Sequence, residues 1–156
     1  ELADQMPEFD VGIVPSGSGA THGGLLTGLR LSGINSPIYG ICVRRDAVQQ
    51  KDRMNTVTNK LAELLEIERP FKQEDILTWD GSLAPGYGQV GQKSLHALKL
   101  MAQTEGIMLD PVYTSKTFAG LLGLLEEGQI LPGQKVLMLH TGGLPAIFSY
   151  QESLIN

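Results

Sequence analysis

Four short apolar runs divide the chain, and each ends in a break rich in glycine, proline or polar residues. The runs cover residues 11–14, 38–43, 76–79 and 135–139. Each run is short and continuous rather than alternating, which favours a strand buried on both faces of a sheet. No two runs are joined by a hairpin signal. The pattern therefore predicts a parallel sheet.

Helical spacing of apolar residues fills the intervals between these runs. The predicted helices begin at Leu25 and end at Gly33, run from Ala47 to Leu65 after an N-cap at Asp46, from Gln92 to Glu105 and from Thr114 to Glu127, and form a last turn from Pro145 to Tyr150. The predicted inner faces of the three longest helices are Val57, Leu61, Leu64 and Leu65 in the helix from Ala47, Leu95, Leu98 and Met101 or Ala102 in the helix from Gln92, and Phe118, Leu121, Leu122 and Leu125 in the helix from Thr114. Strands that alternate with helices predict an α/β fold of three layers, α/β/α, around a mainly parallel sheet.

Composition narrows the class of protein. The 156 residues are 42% hydrophobic and 19% charged, which predicts a single globular domain over residues 1–156. A net charge of −5 gives no general attraction to nucleic acid, and no apolar run approaches a membrane span. The single cysteine, Cys42, suits a reducing cytoplasm and is expected to be a small buried hydrophobe. Because Glu1 stands just ahead of a core strand, we expect the chain to be part of something longer.

A glycine-rich turn, within FDVGIVPSGSGATHGGLLTG at residues 9–28, links the first strand to the first helix. The glycines let backbone N–H groups point inward, and the helix dipole adds partial positive charge. Ser16, Ser18 and Thr21 add hydroxyl donors. The turn is therefore interpreted as a phosphate site.

Three familiar motifs fail on spacing. A dinucleotide fingerprint needs glycine where His22 stands, and a P-loop that begins at Gly19 needs lysine where Leu25 stands. A nucleophile elbow around Ser18 needs glycine where Ser16 stands. A glycine-rich turn with no ligand stays open. No spacing typical of metal ligands is present, and no acid–base role is assigned to any histidine.

Four motifs together carry a family resemblance: SGSGATHGG, APGYG, LDPVYTSK and HTGGLPAIF, in that order. Over residues 9–150 the chain resembles the C-terminal half of the D-cysteine desulfhydrase and 1-aminocyclopropane-1-carboxylate (ACC) deaminase family. These are pyridoxal phosphate enzymes of the tryptophan synthase β-like fold. The resemblance implies the large domain of that fold, a pyridoxal 5'-phosphate cofactor, a small amino-acid substrate and a homodimer.

The resemblance also implies roles for individual residues. The cofactor's phosphate is expected at Ser16, Gly17, Ser18, Gly19, Ala20 and Thr21. Tyr113 is expected against the cofactor ring, and Tyr87 is expected to face the substrate; both are the candidate catalytic residues. Thr141 is expected to offer its hydroxyl to the pyridine nitrogen, with Gly142 and Gly143 allowing close approach of the backbone.

Thr114 separates the subfamilies, because the resembling motif of ACC deaminases has glutamate there. A hydroxyl stabilises a pyridinium less than a carboxylate does, which favours β-elimination over cyclopropane opening. The implied reaction converts D-cysteine to pyruvate, ammonia and hydrogen sulfide. ACC deaminase, L-cysteate sulfo-lyase and a non-catalytic domain that binds a phosphorylated ligand stay open as alternatives.

The Schiff-base lysine of the family belongs to its N-terminal half, which this chain lacks. We therefore expect the chain alone to be inactive. Lys116 is the lysine nearest to a proposed site residue, and on a helix it is expected to face solvent.

Overall fold

The computed structural model describes the backbone of residues 1–155 and the side chains of residues 1–154. Within that part of the chain, four parallel strands form one sheet in the order β3-β2-β1-β4. They are β1 (Val11–Ser16), β2 (Ile38–Cys42), β3 (Leu77–Trp79) and β4 (Val136–Met138). The predicted parallel strands are confirmed, and β1 continues two residues beyond its predicted end.

Helices and short 3-10 turns connect the strands. They are α1 (Leu2–Gln5), α2 (Ala20–Leu31), α3 (Ala47–Leu64), α4 (Gln92–Glu105), α5 (Thr114–Glu126) and α6 (Gln151–Ile155), with 3-10 turns at Gln73–Asp75 and Leu144–Tyr150. Asp46 caps α3 as predicted, since its carboxylate accepts a hydrogen bond of 2.8 Å from the Gln49 N–H. No helix within residues 1–155 is long and apolar enough to cross a membrane.

The sheet lies between two helical layers, as predicted. On one face, Val14 and Ile38 pack with Leu26 of α2 and Met54 of α3. On the other face, residues of the sheet pack with Leu124 of α5, and α4 lies against α5. Cys42 is fully buried, as expected, and burial together with the negative charge of Asp80 raises the pKa of its thiol to about 12.

The predicted inner face of α3 is wrong in part. The structure buries Gln50, Met54, Thr58 and Ala62 and leaves Val57 and Leu61 half-buried, whereas Leu64 is 79% exposed and Leu65 is also exposed. Two polar residues can take the inner positions because they are hydrogen-bonded: Gln50 donates to the Ser16 hydroxyl, and Thr58 donates to a backbone carbonyl one turn earlier.

Small residues form the inner face of α5, in place of the predicted large ones. Ala119, Gly120, Gly123 and Leu124 are buried, while Leu125 is 38% exposed. A Cβ atom at Gly120 would lie 2.6 Å from Ile41 Cδ1, and one at Gly123 would lie 2.6 Å from the Trp79 ring. At Gly120 and Gly123 the helix therefore lies too close to the sheet for a larger residue, whereas the neighbouring Leu124 packs into the core beside the sheet. On α4, similarly, Ser94 and Ala97 are buried along with Leu98, the one predicted residue that is fully buried.

Candidate functional site

Residues 16–21, from the end of β1 to the first turn of α2, are called the phosphate loop below. The helix α2 begins at Ala20 rather than at the predicted Leu25. Gly19 makes this possible by adopting the left-handed conformation, with φ of 94°. Hydrophobic periodicity missed this first turn because its residues are small or polar. Ser18, Ala20 and Thr21 are exposed, and the Ser18 hydroxyl accepts a hydrogen bond of 3.3 Å from the Ala20 N–H.

Two arginines fix the orientation of the phosphate loop. Arg45 donates to the Gly17 carbonyl at 2.9 Å, and Arg53 of α3 donates to the Ser18 carbonyl at 3.0 Å. In a trans peptide unit the C=O and the next N–H point in opposite directions. The N–H groups of Ser18 and Gly19 are thus turned away from the arginines, and neither has a partner within residues 1–155. Such a set of inward N–H groups beside a helix N-terminus attracts anions.

Ser16 differs from the expectation. Its hydroxyl is buried, accepts from Gln50 Nε2 at 2.9 Å and is bonded to His22 Nδ1 at 3.0 Å. The Ser16 side chain is therefore occupied inside the core and does not present a donor to a ligand. Burial lowers the pKa of His22 to about 4, against a smaller opposing effect of the Ile38 backbone, so the ring is neutral at physiological pH.

Tyr113 and Tyr87 meet beside the phosphate loop. Their hydroxyl oxygens are 2.6 Å apart, and their rings are in edge contact at 6.2 Å. A Cβ atom at Gly17 would lie 3.8 Å from Tyr113 Cε1, which places that ring against the loop. The hydrogen bond to Tyr87, followed by burial, raises the pKa of Tyr113 to about 12. The exposed guanidinium of Arg44 lies 5.6 Å from the centre of the Tyr87 ring.

Asp110 holds the segment that carries Tyr113. Its carboxylate accepts hydrogen bonds from the N–H groups of Val112, Tyr113 and Thr114 at 2.7–2.9 Å, and from the Thr114 hydroxyl at 2.8 Å. The Thr114 hydroxyl is fully buried and also accepts from the Asp110 N–H. The Thr114 hydroxyl is therefore committed to the local turn at the start of α5.

Thr141 lies in the exposed loop after β4, residues 140–143. His140 Nε2 is 3.0 Å from the Met108 carbonyl, and the Gly142 N–H donates to His140 Nδ1 at 3.2 Å. A Cβ atom at Gly143 would lie 3.1 Å from Cβ and Cγ of Asp110. This loop therefore lies along the segment that leads to Tyr113. The cap of the following 3-10 turn is Gly143, which leaves Thr141 outside it.

Sequence reasoning missed several residues that shape the site. Gln50, Arg45 and Arg53 are polar residues around a predicted helix start, and nothing in their spacing indicates the loop 28–35 residues earlier that they contact. Lys116 was expected to face solvent, but it is fully buried. The sequence did hold an indication that Lys116 is buried, because the other residues of its helical turn are uncharged.

The chain matches a protein-family model and several curated proteins. A family model described as "Pyridoxal-phosphate dependent enzyme" matches residues 1–142. A D-cysteine desulfhydrase of Yersinia pestis (strain Pestoides F) is 39% identical over 91% of this chain and 42% of its own length. One of Klebsiella pneumoniae (strain 342) is 38% identical over 99% of this chain and 47% of its own length.

A solved structure, described as an ACC deaminase homologue, superposes with a TM-score of 0.87 at 32% identity. The superposition covers 99% of this chain and 46% of that one. The chain thus spans less than half the length of the relatives that it matches.

Proposed function

We propose that this chain, which belongs to the family of pyridoxal-phosphate dependent enzymes, forms the cofactor-holding part of a D-cysteine desulfhydrase-like lyase. The full-length protein would convert D-cysteine and water to pyruvate, ammonia and hydrogen sulfide. Residues 1–156 would be a single α/β domain in its C-terminal portion. The Schiff-base lysine would come from the N-terminal portion, and the protein would be a cytoplasmic homodimer.

One observation carries the proposal: the Tyr113 ring lies against Gly17 of the phosphate loop, and its hydroxyl is 2.6 Å from that of Tyr87. The phosphate loop thus lies next to a pair of aromatic side chains, and a ligand that joins a phosphate to an aromatic ring needs both. The unpartnered N–H groups of Ser18 and Gly19, within the described residues, are neutral donors of the kind that holds a phosphate. The residues present therefore fit a pyridoxal phosphate.

The phosphate would be held by Gly17, Ser18, Gly19, Ala20 and Thr21, mainly through backbone N–H groups and the exposed hydroxyls. Tyr113 would pack against the ring, and the exposed Thr141 would reach the pyridine nitrogen, with Gly142 and Gly143 keeping the backbone close. When bound, the cofactor supplies an electron sink that acidifies the Cα–H of an amino acid.

The pair of tyrosines, Tyr113 and Tyr87, would deliver one proton to the leaving group. Tyr113 stays a phenol at neutral pH because its pKa is raised to about 12, and it can donate to the Tyr87 oxygen. The Tyr87 proton is then directed outward, where it can pass to the sulfur that leaves Cβ as thiolate. The exposed Arg44 guanidinium beside Tyr87 would attract the carboxylate of the incoming amino acid.

ACC deaminase is the second candidate, because the superposed structure is described as an ACC deaminase homologue. That reaction would release 2-oxobutyrate and ammonia from ACC. L-cysteate sulfo-lyase activity and non-catalytic binding of a phosphorylated ligand are the remaining alternatives.

The test uses the full-length protein that contains this chain. Purified protein should carry the visible absorbance of an enzyme-bound pyridoxal phosphate and release pyruvate and sulfide in equal amounts from D-cysteine. Release of 2-oxobutyrate from ACC, without sulfide from D-cysteine, would transfer the assignment to the deaminase. Absence of cofactor absorbance after incubation with pyridoxal phosphate would overturn the enzyme proposal.

A further inference from the structure

Lys116 is a lysine buried at the first turn of α5, with no exposed side-chain surface. Its ammonium donates to the Leu83 carbonyl at 2.8 Å and to the Gly86 carbonyl at 2.6 Å. The Lys116 carbonyl in turn accepts from the buried Ser82 hydroxyl at 2.9 Å. Lys116 thus holds the irregular segment 82–86 through both its side chain and its backbone.

No carboxylate within the described residues forms an ion pair with this ammonium. Burial lowers the pKa of Lys116, since charge is costly to remove from water. Only backbone carbonyl dipoles compensate the charge. An apolar residue could fill this space at less cost in desolvation, but it could not make the hydrogen bonds that join the Leu83 and Gly86 carbonyls to one atom.

The two carbonyls bound by Lys116 belong to the loop of residues 83–88, called the tyrosine loop below because it carries Tyr87. It contains no helix or strand, and Gly86 and Gly88 both have positive φ, at 152° and 71°. The Tyr150 hydroxyl donates to the Gly88 carbonyl at 2.7 Å. The loop is therefore fixed on one side of Tyr87 by Lys116 and on the other by Tyr150.

Lys116 and Tyr113 stand three residues apart at the start of the same helix. On a helix, this spacing brings two residues to the same face. Lys116 therefore ties the tyrosine loop to the element that carries Tyr113, and so fixes how far the Tyr87 hydroxyl lies from its partner.

We propose that Lys116 is a positioning residue, whose ammonium acts as a built-in cation that organises the tyrosine loop and keeps the Tyr87 hydroxyl on that of Tyr113. The consequence for catalysis rests on the proposed function; the consequence for the loop does not. Lys116 itself contacts neither substrate nor cofactor in this role.

The first test is hydrogen exchange of the full-length protein without substrate. Lys116→Met removes two charge-assisted hydrogen bonds from the loop, so exchange of peptides over residues 83–88 should rise about tenfold or more. Peptides over residues 11–16 should be unchanged. Lys99→Met is the matched control, because Lys99 is exposed on α4, and it should leave both regions as in the wild type. Unchanged exchange of the loop in Lys116→Met would overturn the proposal.

The second test is a double-mutant cycle on the lyase reaction. Tyr87→Phe and Lys116→Met should each lower kcat/KM, by about 100-fold if Tyr87 moves a proton. In the Tyr87→Phe background, Lys116→Met should cost less than about twofold more. Equal losses in both backgrounds would show a general structural effect and overturn the positioning role.

Chemical rescue covers the case in which a Lys116 variant folds only when a cation is supplied from solution. Lys116→Ala leaves a space lined by the same two carbonyls, so ammonium chloride should restore slow exchange of residues 83–88, whereas sodium chloride of equal ionic strength should restore less. Equal effects of the two salts would overturn the proposal. If rescue of the loop occurs but no sulfide is ever released from D-cysteine, the proposed function fails while the positioning of the loop stands.

Discussion

His22 shows how the conformation of an exposed loop depends on a side chain buried behind it. The ring is fully buried behind the phosphate loop, where Nδ1 is 3.0 Å from the Ser16 hydroxyl. A Cβ atom at Gly40 would overlap the imidazole, so β2 leaves just enough room for it. The last residue of β1 is thereby fixed from inside, and the exposed part of the loop begins from a defined position.

Acid should weaken the fold through His22. Its pKa is about 4 in the folded protein, against 6.5 for an unperturbed histidine, so the unfolded state binds the proton first as pH falls. Stability should therefore be full above pH 6.5 and fall by about 3 kcal/mol between pH 6.5 and pH 4. Urea unfolding of the full-length protein across this range measures the loss.

His22→Asn keeps a polar atom near Ser16 but cannot titrate, so the part of the pH dependence that comes from His22 should disappear. His96→Asn, at an exposed position of α4, should keep the wild-type dependence. An acid loss of the same size in His22→Asn would contradict the assignment.

The orientation of individual side chains was the feature of the site that was hardest to predict from the sequence. The motifs predict an anion site at the glycine-rich turn after β1, because clustered glycines let backbone N–H groups point to one place. They did not reveal that the Ser16 hydroxyl points inward. That depends on Gln50, which lies 34 residues further along the chain. Local pattern carries no information about such a contact.

At the scale of elements, α5 and α3 show why hydrophobic periodicity found the helices but misplaced part of their inner faces. Periodicity ranks large apolar side chains as the inner ones. In α5 the distance to the sheet is set by Gly120 and Gly123, so the larger residues are displaced to the sides. In α3, hydrogen-bonded Gln50 and Thr58 occupy inner positions that apolar residues were expected to fill.

Gly120→Ala should destabilise the protein, because its Cβ would lie 2.6–2.8 Å from three side-chain atoms of the buried Ile41. Overpacking of this kind costs about 1–3 kcal/mol. Gly28→Ala is the control: it lies in α2 with no atom within 4 Å of the new Cβ, and should stabilise by about 0.5–1 kcal/mol. Opposite signs of the two changes in urea unfolding are expected. Equal changes would refute the close approach of α5 to the sheet.

Arg53 of α3 should affect anion binding although it holds a carbonyl and not the anion. Arg53→Met frees the Ser18 carbonyl, so the Gly19 N–H loses its fixed direction. The affinity of the full-length apoprotein for pyridoxal phosphate should fall about tenfold, equivalent to one hydrogen bond of about 1.4 kcal/mol, as measured by absorbance titration. Lys60→Met, on the exposed surface of α3, is the control. Unchanged affinity in Arg53→Met would exclude this role.

At the scale of the whole molecule, parallel topology brings segments that are distant in sequence to one edge of the sheet. The phosphate loop follows the central strand β1, and the loop of residues 140–143 follows its neighbour β4. In such sheets ligands bind beyond the carboxyl ends of the strands. This architecture could be predicted from sequence, because alternating strands and helices admit few other arrangements.

Cofactor binding should therefore protect three separated segments together. When pyridoxal phosphate is added to the full-length apoprotein, hydrogen exchange should slow in residues 16–21, 109–114 and 140–143 at one common cofactor concentration. Inorganic phosphate, as the control, should protect residues 16–21 alone, because it lacks the ring. Protection by pyridoxal phosphate of only one segment would show that the three do not form one site.

The ammonium of Lys116 is covalently attached to the chain, so its presence beside the tyrosine loop does not depend on which salts the medium contains. A tethered ion is present at a fixed, high effective concentration whatever the medium contains. The tyrosine pair of the wild-type protein should thus be indifferent to which alkali salt is dissolved around it. Independence of the ionic composition of the cell is what a lysine at this position provides.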